Sequence, residues 1–194
     1  MLPQFIQRSL SDYILLSKIK KQEILMKIFN TMLFTTVAIW ALNIGEVPKE
    51  VTISGNNGGL VNGKAWSSSS IKGKIYLLSY VDPDKKEENK LFMEALHKKN
   101  YNINKFSSIA IINLKATWLP NFAIEKMLES KQKEYPNKIY IKDKTKYLVK
   151  EWDLKDDSSN VILFDKSGKV IYMHQGFMDK SEIDKVFKII DGLL

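Results

Sequence analysis

The sequence of 194 residues contains no cysteine, and this absence removes several kinds of chemistry at once. Without a thiol the chain has no sulfur nucleophile, cannot exchange disulfides and offers no thiolate ligand to zinc or to an iron–sulfur cluster. Histidine is nearly as scarce, because His97 and His174 are the only two. A thiol–disulfide oxidoreductase is therefore excluded, and a histidine-rich metal site is not expected.

Arginine is almost absent as well, since Arg8 is the only arginine among 30 basic residues. The formal net charge is +8, but from Glu46 onward 25 lysines are interleaved with 20 acidic residues. Paired hydrogen bonds to guanine or phosphate favour arginine, and evenly mixed charges are typical of a solvated surface. We therefore expect no nucleic acid among the partners of this chain.

The first 45 residues differ from the rest. Residues 28–45 carry no charge and follow several lysines, and their most apolar stretch, residues 32–42, is 11 residues long. That length matches the apolar core of a signal peptide, whereas crossing a bilayer takes about 20 apolar residues. We predict a signal peptide over residues 26–43, cleaved near Ala41, and export to the periplasm of a Gram-negative bacterium. A retained membrane anchor and a buried core helix are the alternatives.

Residues 1–25 are longer than the short basic segment that usually precedes such an apolar core. Met26 and Lys27, followed directly by the apolar stretch, already form a complete signal. Residues 1–25 are therefore either an upstream extension, with translation starting at Met26 rather than Met1, or a long amphipathic segment on the inner membrane face. One globular domain with its own core is expected over residues 46–194.

Apolar runs and helical spacing alternate through this domain. Two short strands, 51–55 and 58–66, flank a turn rich in asparagine and glycine, which predicts a β-hairpin. The uninterrupted apolar run at 75–82 predicts a strand covered on both faces. Further strands are predicted at 108–114, 138–143, 160–165 and 169–175, and helices at 87–99, 123–134, 147–152 and 181–194.

The order of elements after the first hairpin is β-α-β-α-β-α-β-β-α. Strands that alternate with helices place the chain in the α/β class, with the parallel strands first. The closing hairpin and helix narrow this class to a thioredoxin-like fold. We therefore predict a central mixed sheet flanked by helices, with an N-terminal β-hairpin extension.

A series of short motifs runs through this domain and carries a family resemblance. The motifs are Glu134-Tyr135-Pro136, Trp152-Asp153-Leu154, Ser158-Ser159, Val161, Leu163-Phe164-Asp165-Lys166, Gly168, and Ile111-Ile112-Asn113 with Pro120 beyond it. Through these motifs, the sequence resembles the YtfJ family of small periplasmic proteins with a thioredoxin-like fold. The resemblance runs from about Trp66 to the end of the sequence. The resemblance implies an exported domain and assigns no molecular function. A label of transcriptional regulator that this family has carried fits badly with a signal peptide and an arginine-free domain.

In thioredoxin-like folds the reactive site lies at the carboxyl ends of the strands, where the first central strand meets its helix. Redox members place Cys-x-x-Cys there, with a cis-proline in the facing loop. In this sequence the first position is taken by a redox-position loop of Asp82, Pro83, Asp84 and Lys85. The facing position is taken by an opposing loop of Asp156, Asp157, Ser158 and Ser159. Because the redox residues are missing from both loops, no catalytic residue is expected in either.

Four carboxylates in these loops are candidate ligands for a hard cation such as calcium or magnesium. They are Asp82, Asp84, Asp156 and Asp157. Their spacing matches no calcium-binding loop, and the neighbouring Lys85 and Lys86 oppose a cation. The simpler interpretation is that Asp84 caps a helix and the others belong to turns and solvated loops, so that no cofactor is expected.

Several tryptophans require an interpretation of their own. We expect the segment 118–122, Trp-Leu-Pro-Asn-Phe, to pack at the entry of the following helix, with an exposed partner-binding loop as the alternative. Trp66 and Trp152 are expected in the core.

These patterns together predict an exported, redox-inactive, thioredoxin-like domain. We expect it to act as a binding or accessory module for an unknown protein or small-molecule partner in the periplasm. The first alternative is an enzyme that uses a cation or the carboxylates of the acidic loops. The second is a transcriptional regulator, which requires the chain to remain in the cytoplasm.

Overall fold

The structure, a computed structural model, describes residues 17–24, 26 and 42–194. The chain divides into two compact units, Met1–Ile39 and Trp40–Leu194. In the first unit the described residues are helical and exposed. Most of the predicted signal peptide, 26–43, lies outside the described residues. Within the described residues, no helix combines the length and apolar character needed to cross a bilayer.

The second unit is built on a six-stranded mixed sheet. The strands are β1 Thr52–Ile53, β2 Gly58–Leu60, β3 Trp66–Ser67, β4 Ile75–Val81, β5 Phe106–Asn113, β6 Ile139–Asp143, β7 Ser159–Phe164 and β8 Val170–Gln175. Strands β1 and β3 form a separate two-stranded sheet. The helices are α1 Lys90–Lys99, α2 Asn121–Glu134, α3 Tyr147–Trp152 and α4 Lys180–Leu193. The sheet has the order β2-β6-β5-β4-β7-β8, in which β4, β5 and β6 are parallel and the other three run antiparallel to their neighbours.

Strand β4 is uniformly apolar because both of its faces are covered. Tyr76, Leu78 and Tyr80 contribute to one hydrophobic cluster, which also contains Trp152. Ile75 and Leu77 contribute to a second cluster on the other face. The predicted α/β class, the parallel strands and the closing hairpin of β7 and β8 are confirmed.

The helices divide unequally between the two faces. Helices α1 and α4 pack together on one face, where the rings of Phe92 and Phe187 lie 5.5 Å apart. Helix α2 covers the same face farther along, over Ala110 and Tyr140. Helix α3 and the segment before β4 cover the opposite face. Trp66 and Trp152 are both buried there, as predicted.

The predicted N-terminal hairpin is wrong in its pairing. Strand β1 pairs with β3, not with β2, so that Ile53 lies opposite Trp66. Strand β2 instead joins the main sheet beside β6, with Gly58 opposite Asp143. A Cβ atom at Gly58 would lie 1.9 Å from the carbonyl oxygen of Lys142, so only glycine permits this close approach. The paired glycines therefore mark a close backbone contact rather than a hairpin turn.

Candidate functional site

The redox-position loop and the opposing loop meet at the carboxyl ends of the central strands. Asp82 follows β4 directly, and Pro83–Lys85 form a short 3-10 turn before α1. Residues 156–158 precede β7, whose first residue, Ser159, lies opposite Val81. The antiparallel pairing of β4 with β7 therefore brings the end of one strand to the start of the other, and the two loops to the same edge of the sheet.

Asp82 joins these loops through its backbone and its side chain. Its backbone N–H donates to the carbonyl oxygen of Ser158 over 3.1 Å, and the Ser158 N–H donates to Asp82 Oδ2 over 2.9 Å. Asn113 Nδ2, at the end of β5, donates to Asp82 Oδ1 over 2.8 Å. The side chain is fully buried, and this burial raises the pKa of Asp82 above its usual value. Both carboxylate oxygens are therefore engaged within the protein.

The other three predicted carboxylates each have a different partner. Thr117 Oγ1 donates to Asp84 Oδ1 over 2.9 Å, and Lys146 forms an ion pair with Asp156. The Lys85 ammonium lies 3.8 Å from Asp157 Oδ2. Across the part of the chain that the structure describes, no group of three or more acidic or histidine side chains is arranged to hold a metal ion. The loops face each other, but their carboxylates do not converge.

Two residues before α1 complete the contact between the loops, and the sequence reasoning missed both. The Ser159 N–H donates to Glu88 Oε2 over 2.9 Å. Asn89 donates from Nδ2 to the carbonyl oxygen of Gly176 over 2.8 Å and accepts from the N–H of Met178, also over 2.8 Å. Asn89 Nδ2 also donates to Ser159 Oγ over 3.1 Å, so this buried side chain links three segments of the chain. The sequence signal that could have singled out Asn89 is its place just before a run of helical spacing, where asparagine is a common helix cap.

A second buried network lies at the carboxyl end of β6. Asp143 Oδ1 accepts from the backbone N–H groups of Thr145 and Tyr147, while Oδ2 accepts from the N–H of Leu148 and the hydroxyl of Tyr80. Burial, followed by the nearby charge of Asp143, raises the pKa of Tyr80. Since Asp143 satisfies N–H groups at the start of α3, its role is to fix that helix against the sheet.

The surface around this edge is aromatic. Trp118 and Phe122, on either side of the start of α2, are 84% and 75% exposed, and Phe177 in the loop after β8 is 64% exposed. The hydrogen bond from Thr117 to Asp84 fixes the first pair beside the redox-position loop. Phe177 reaches the same edge because the Gly176 N–H donates to the carbonyl oxygen of Ser159. The expected packing of segment 118–122 at the helix entry is therefore wrong for its aromatic side chains.

Comparison with known proteins places the chain in a family. Residues 42–193 match the family model described as bacterial protein of unknown function (YtfJ_HI0045). The chain belongs to this family. Among curated relatives of the YtfJ family, the uncharacterized protein YtfJ of Escherichia coli (strain K12) is 27% identical over 135 residues, which are 68% of this chain and 73% of that protein.

Solved structures show that this YtfJ family member has a thioredoxin-like fold. A putative thiol:disulfide interchange protein DsbE from Chlorobium tepidum is similar with a TM-score of 0.56 and 16% identity, covering 79% of this chain and 100% of that one. A thiol peroxidase from Chromobacterium violaceum is similar with a TM-score of 0.56 and 13% identity, covering 79% and 90%. At these identities the likeness concerns the fold alone, and this chain has no cysteine with which to perform thiol chemistry.

Proposed function

We propose that this protein is an exported, redox-inactive binding module that recognises a protein partner with its aromatic edge, defined as Trp118, Phe122 and Phe177. The observation that carries the proposal is the exposure of all three side chains at the edge where thioredoxin-like folds place their site. Large exposed apolar side chains cost solubility, and aromatic residues are enriched in the centres of protein interfaces.

The contact between the redox-position loop and the opposing loop supports recognition by the surface rather than by a pocket between the loops. Asp82, Glu88 and Asn89 use their polar atoms to bind the opposing loop, the end of β5 and the segment after β8. A ligand entering between the loops would have to break these buried hydrogen bonds, each of which leaves an unsatisfied group. The exposed aromatic rings beside them need no such rearrangement.

Export follows from the proposed signal peptide, and the start of the globular unit supports cleavage directly after Ala41. Leu42 is buried in the same cluster as Trp152, and its N–H donates to the carbonyl oxygen of Trp152. A mature chain that begins at Leu42 keeps this contact, whereas cleavage after Asn43 removes it. N-terminal sequencing of the native protein is expected to give Leu42 first. A membrane-bound chain that still carries residues 32–42 contradicts the proposal.

The recognition surface is tested by photo-cross-linking in cells that produce the full chain. A photoreactive amino acid is placed at position 118, 122 or 177 in separate variants, and at position 103 as the control. Ile103 is also exposed, at 53%, but follows α1 at the opposite edge of the sheet. Adducts of one defined mass from the three aromatic positions, and none from position 103, are expected. Equal adducts at all four positions, or none at the aromatic edge, overturn the proposal.

A further inference from the structure

The edge of the sheet opposite the aromatic residues contains two neighbouring cavities. The larger, about 530 Å³, lies between the end of α2 and the strands β2 and β6, with walls formed in part by Leu60, Val61, Pro136 and Ile139. The smaller, about 270 Å³, lies under the end of α1. Lys138, the residue before β6, lines both. The larger cavity has the size and mainly apolar lining that are usual for small-molecule sites.

Lys138 differs from Lys131 and Lys142 because it lacks an acidic partner. Lys131 pairs with Glu134, and Lys142 pairs with Glu125. Lys138 forms no ion pair with any residue that the structure describes, and its ammonium lies 5.4 Å from the centre of the Tyr140 ring. Burial, followed by the nearby positive charge of Lys131, lowers the pKa of Lys138 to about 8. A half-buried cation without a counter-charge thus borders the cavity.

The wall beside Lys138 is held in place before any ligand binds. Gln132 Nε2, on α2, donates to the carbonyl oxygen of Lys138 over 2.7 Å, and Gln132 Oε1 accepts from the N–H of Tyr140 over 3.2 Å. The N–H of Val61 donates to the carbonyl oxygen of Tyr140. These bonds satisfy the backbone of the wall, and the ammonium of Lys138 forms no hydrogen bond or ion pair with any residue that the structure describes. A preformed wall lowers the entropic cost of binding.

We propose that the larger cavity binds a small organic anion, a carboxylate with an apolar body, whose charge pairs with Lys138. The apolar walls suit the body of such a ligand, and the unpaired ammonium suits its carboxylate. Glu129 and Lys133 also line the cavity, from exposed positions one turn apart on α2. Their opposite charges offset one another at the rim, so the selectivity for an anion depends on Lys138.

The test is a titration of the full chain with octanoate, followed by amide chemical shifts. 1-Octanol provides the same apolar body without the charge. Saturable shifts are expected for residues 60–62 and 132–139, with octanoate binding more tightly than octanol. Lys138→Met is expected to weaken octanoate binding about tenfold, as for the loss of one charge-assisted hydrogen bond, and to leave octanol binding unchanged.

Lys74→Met is the matched control. Lys74 is also half-buried, and its ammonium lies 5.8 Å from the centre of the Tyr76 ring, but it does not line the cavity. This variant is expected to bind octanoate like the wild type. Equal affinities for octanoate and octanol, equal losses in the two lysine variants, or no saturable shift at millimolar octanoate would each overturn the proposal.

Discussion

Replacing Asp82 tests whether one buried carboxylate holds the two loops together. In Asp82→Ala the N–H of Ser158 and the side-chain amide of Asn113 lose their acceptors. Each buried donor left without a partner costs about 1–3 kcal/mol, and part of this loss is offset because a buried carboxylate is removed. We expect the free energy of unfolding to fall by about 3 kcal/mol. For a protein of this size that corresponds to a melting temperature lower by roughly 6–12 °C.

The assay is urea unfolding at pH 7, with thermal melting as the second measurement. Asp84→Ala is the control in the same loop, because Asp84 accepts one hydrogen bond, from the Thr117 hydroxyl, near the surface. That variant is expected to change the free energy of unfolding by less than about 1 kcal/mol. Similar losses in Asp82→Ala and Asp84→Ala would refute the argument that the buried carboxylate joins the loops.

The pH dependence gives an independent signature of the same residue. Because the pKa of Asp82 is raised in the folded protein, the folded state holds this proton to a higher pH than the unfolded state does. The wild type therefore loses stability relative to Asp82→Asn as the pH rises from about 4 through the folded-state pKa, and the difference is constant above it. A difference that moves in the other direction would show that hydrogen bonding outweighs burial.

Four further predictions concern the rest of the molecule. Asn89→Ala is expected to lower the free energy of unfolding by about 2–4 kcal/mol in urea, because the buried groups of Gly176 and Met178 lose their partner. Lys138→Met is expected to raise the free energy of unfolding by about 1–3 kcal/mol at pH 7, because the pKa of Lys138 falls from 10.5 to about 8 on folding. This gain in stability should shrink as the pH rises from about 8 to 10.5. Millimolar calcium or magnesium at low ionic strength should leave the melting temperature unchanged, since Lys146 and Lys85 lie beside the exposed acids; a rise of several degrees would reveal a cation site. The protein should not accelerate the reduction of insulin by dithiothreitol, and turnover above the blank would contradict the exclusion of thiol chemistry.

The bounds of elements that show a clear local pattern of apolar residues were predicted closely. Strand β4 ends one residue before its predicted end, and α3 has the predicted bounds. Both are covered by large apolar side chains, and spacing along the chain records such burial directly. The start of α1 was placed three residues too early, because Glu87 and Glu88 resemble the acidic first turn of a helix. Glu88 instead accepts from Ser159, a residue 71 positions away, which the local pattern does not record.

The sequence predicted that the two loops face each other, but it did not predict the partners of their side chains. The element order alone placed the redox-position loop against the opposing loop, since strand ends meet at one edge in an α/β sheet. The partners of Asp84, Asp156 and Asp157 depend on where Thr117 and two lysines project from other elements. The exposure of Trp118 was missed for a related reason. An aromatic residue beside a helix start is compatible with burial or exposure, and only the tertiary structure distinguishes them.

The glycine pair at the start of β2 has a consequence for how this domain behaves at high concentration. Without β2, strand β6 would be the last strand of the sheet, and its outer N–H and C=O groups would be open to a strand from another molecule. Strand β2 is three residues long and begins with Gly58 and Gly59, so it covers β6 while presenting only a short edge of its own. A side chain at position 58 would push this cover away from the Lys142 backbone. The protection of the β6 edge from strands of other molecules, and not only the fold, therefore depends on a position that carries no side chain at all.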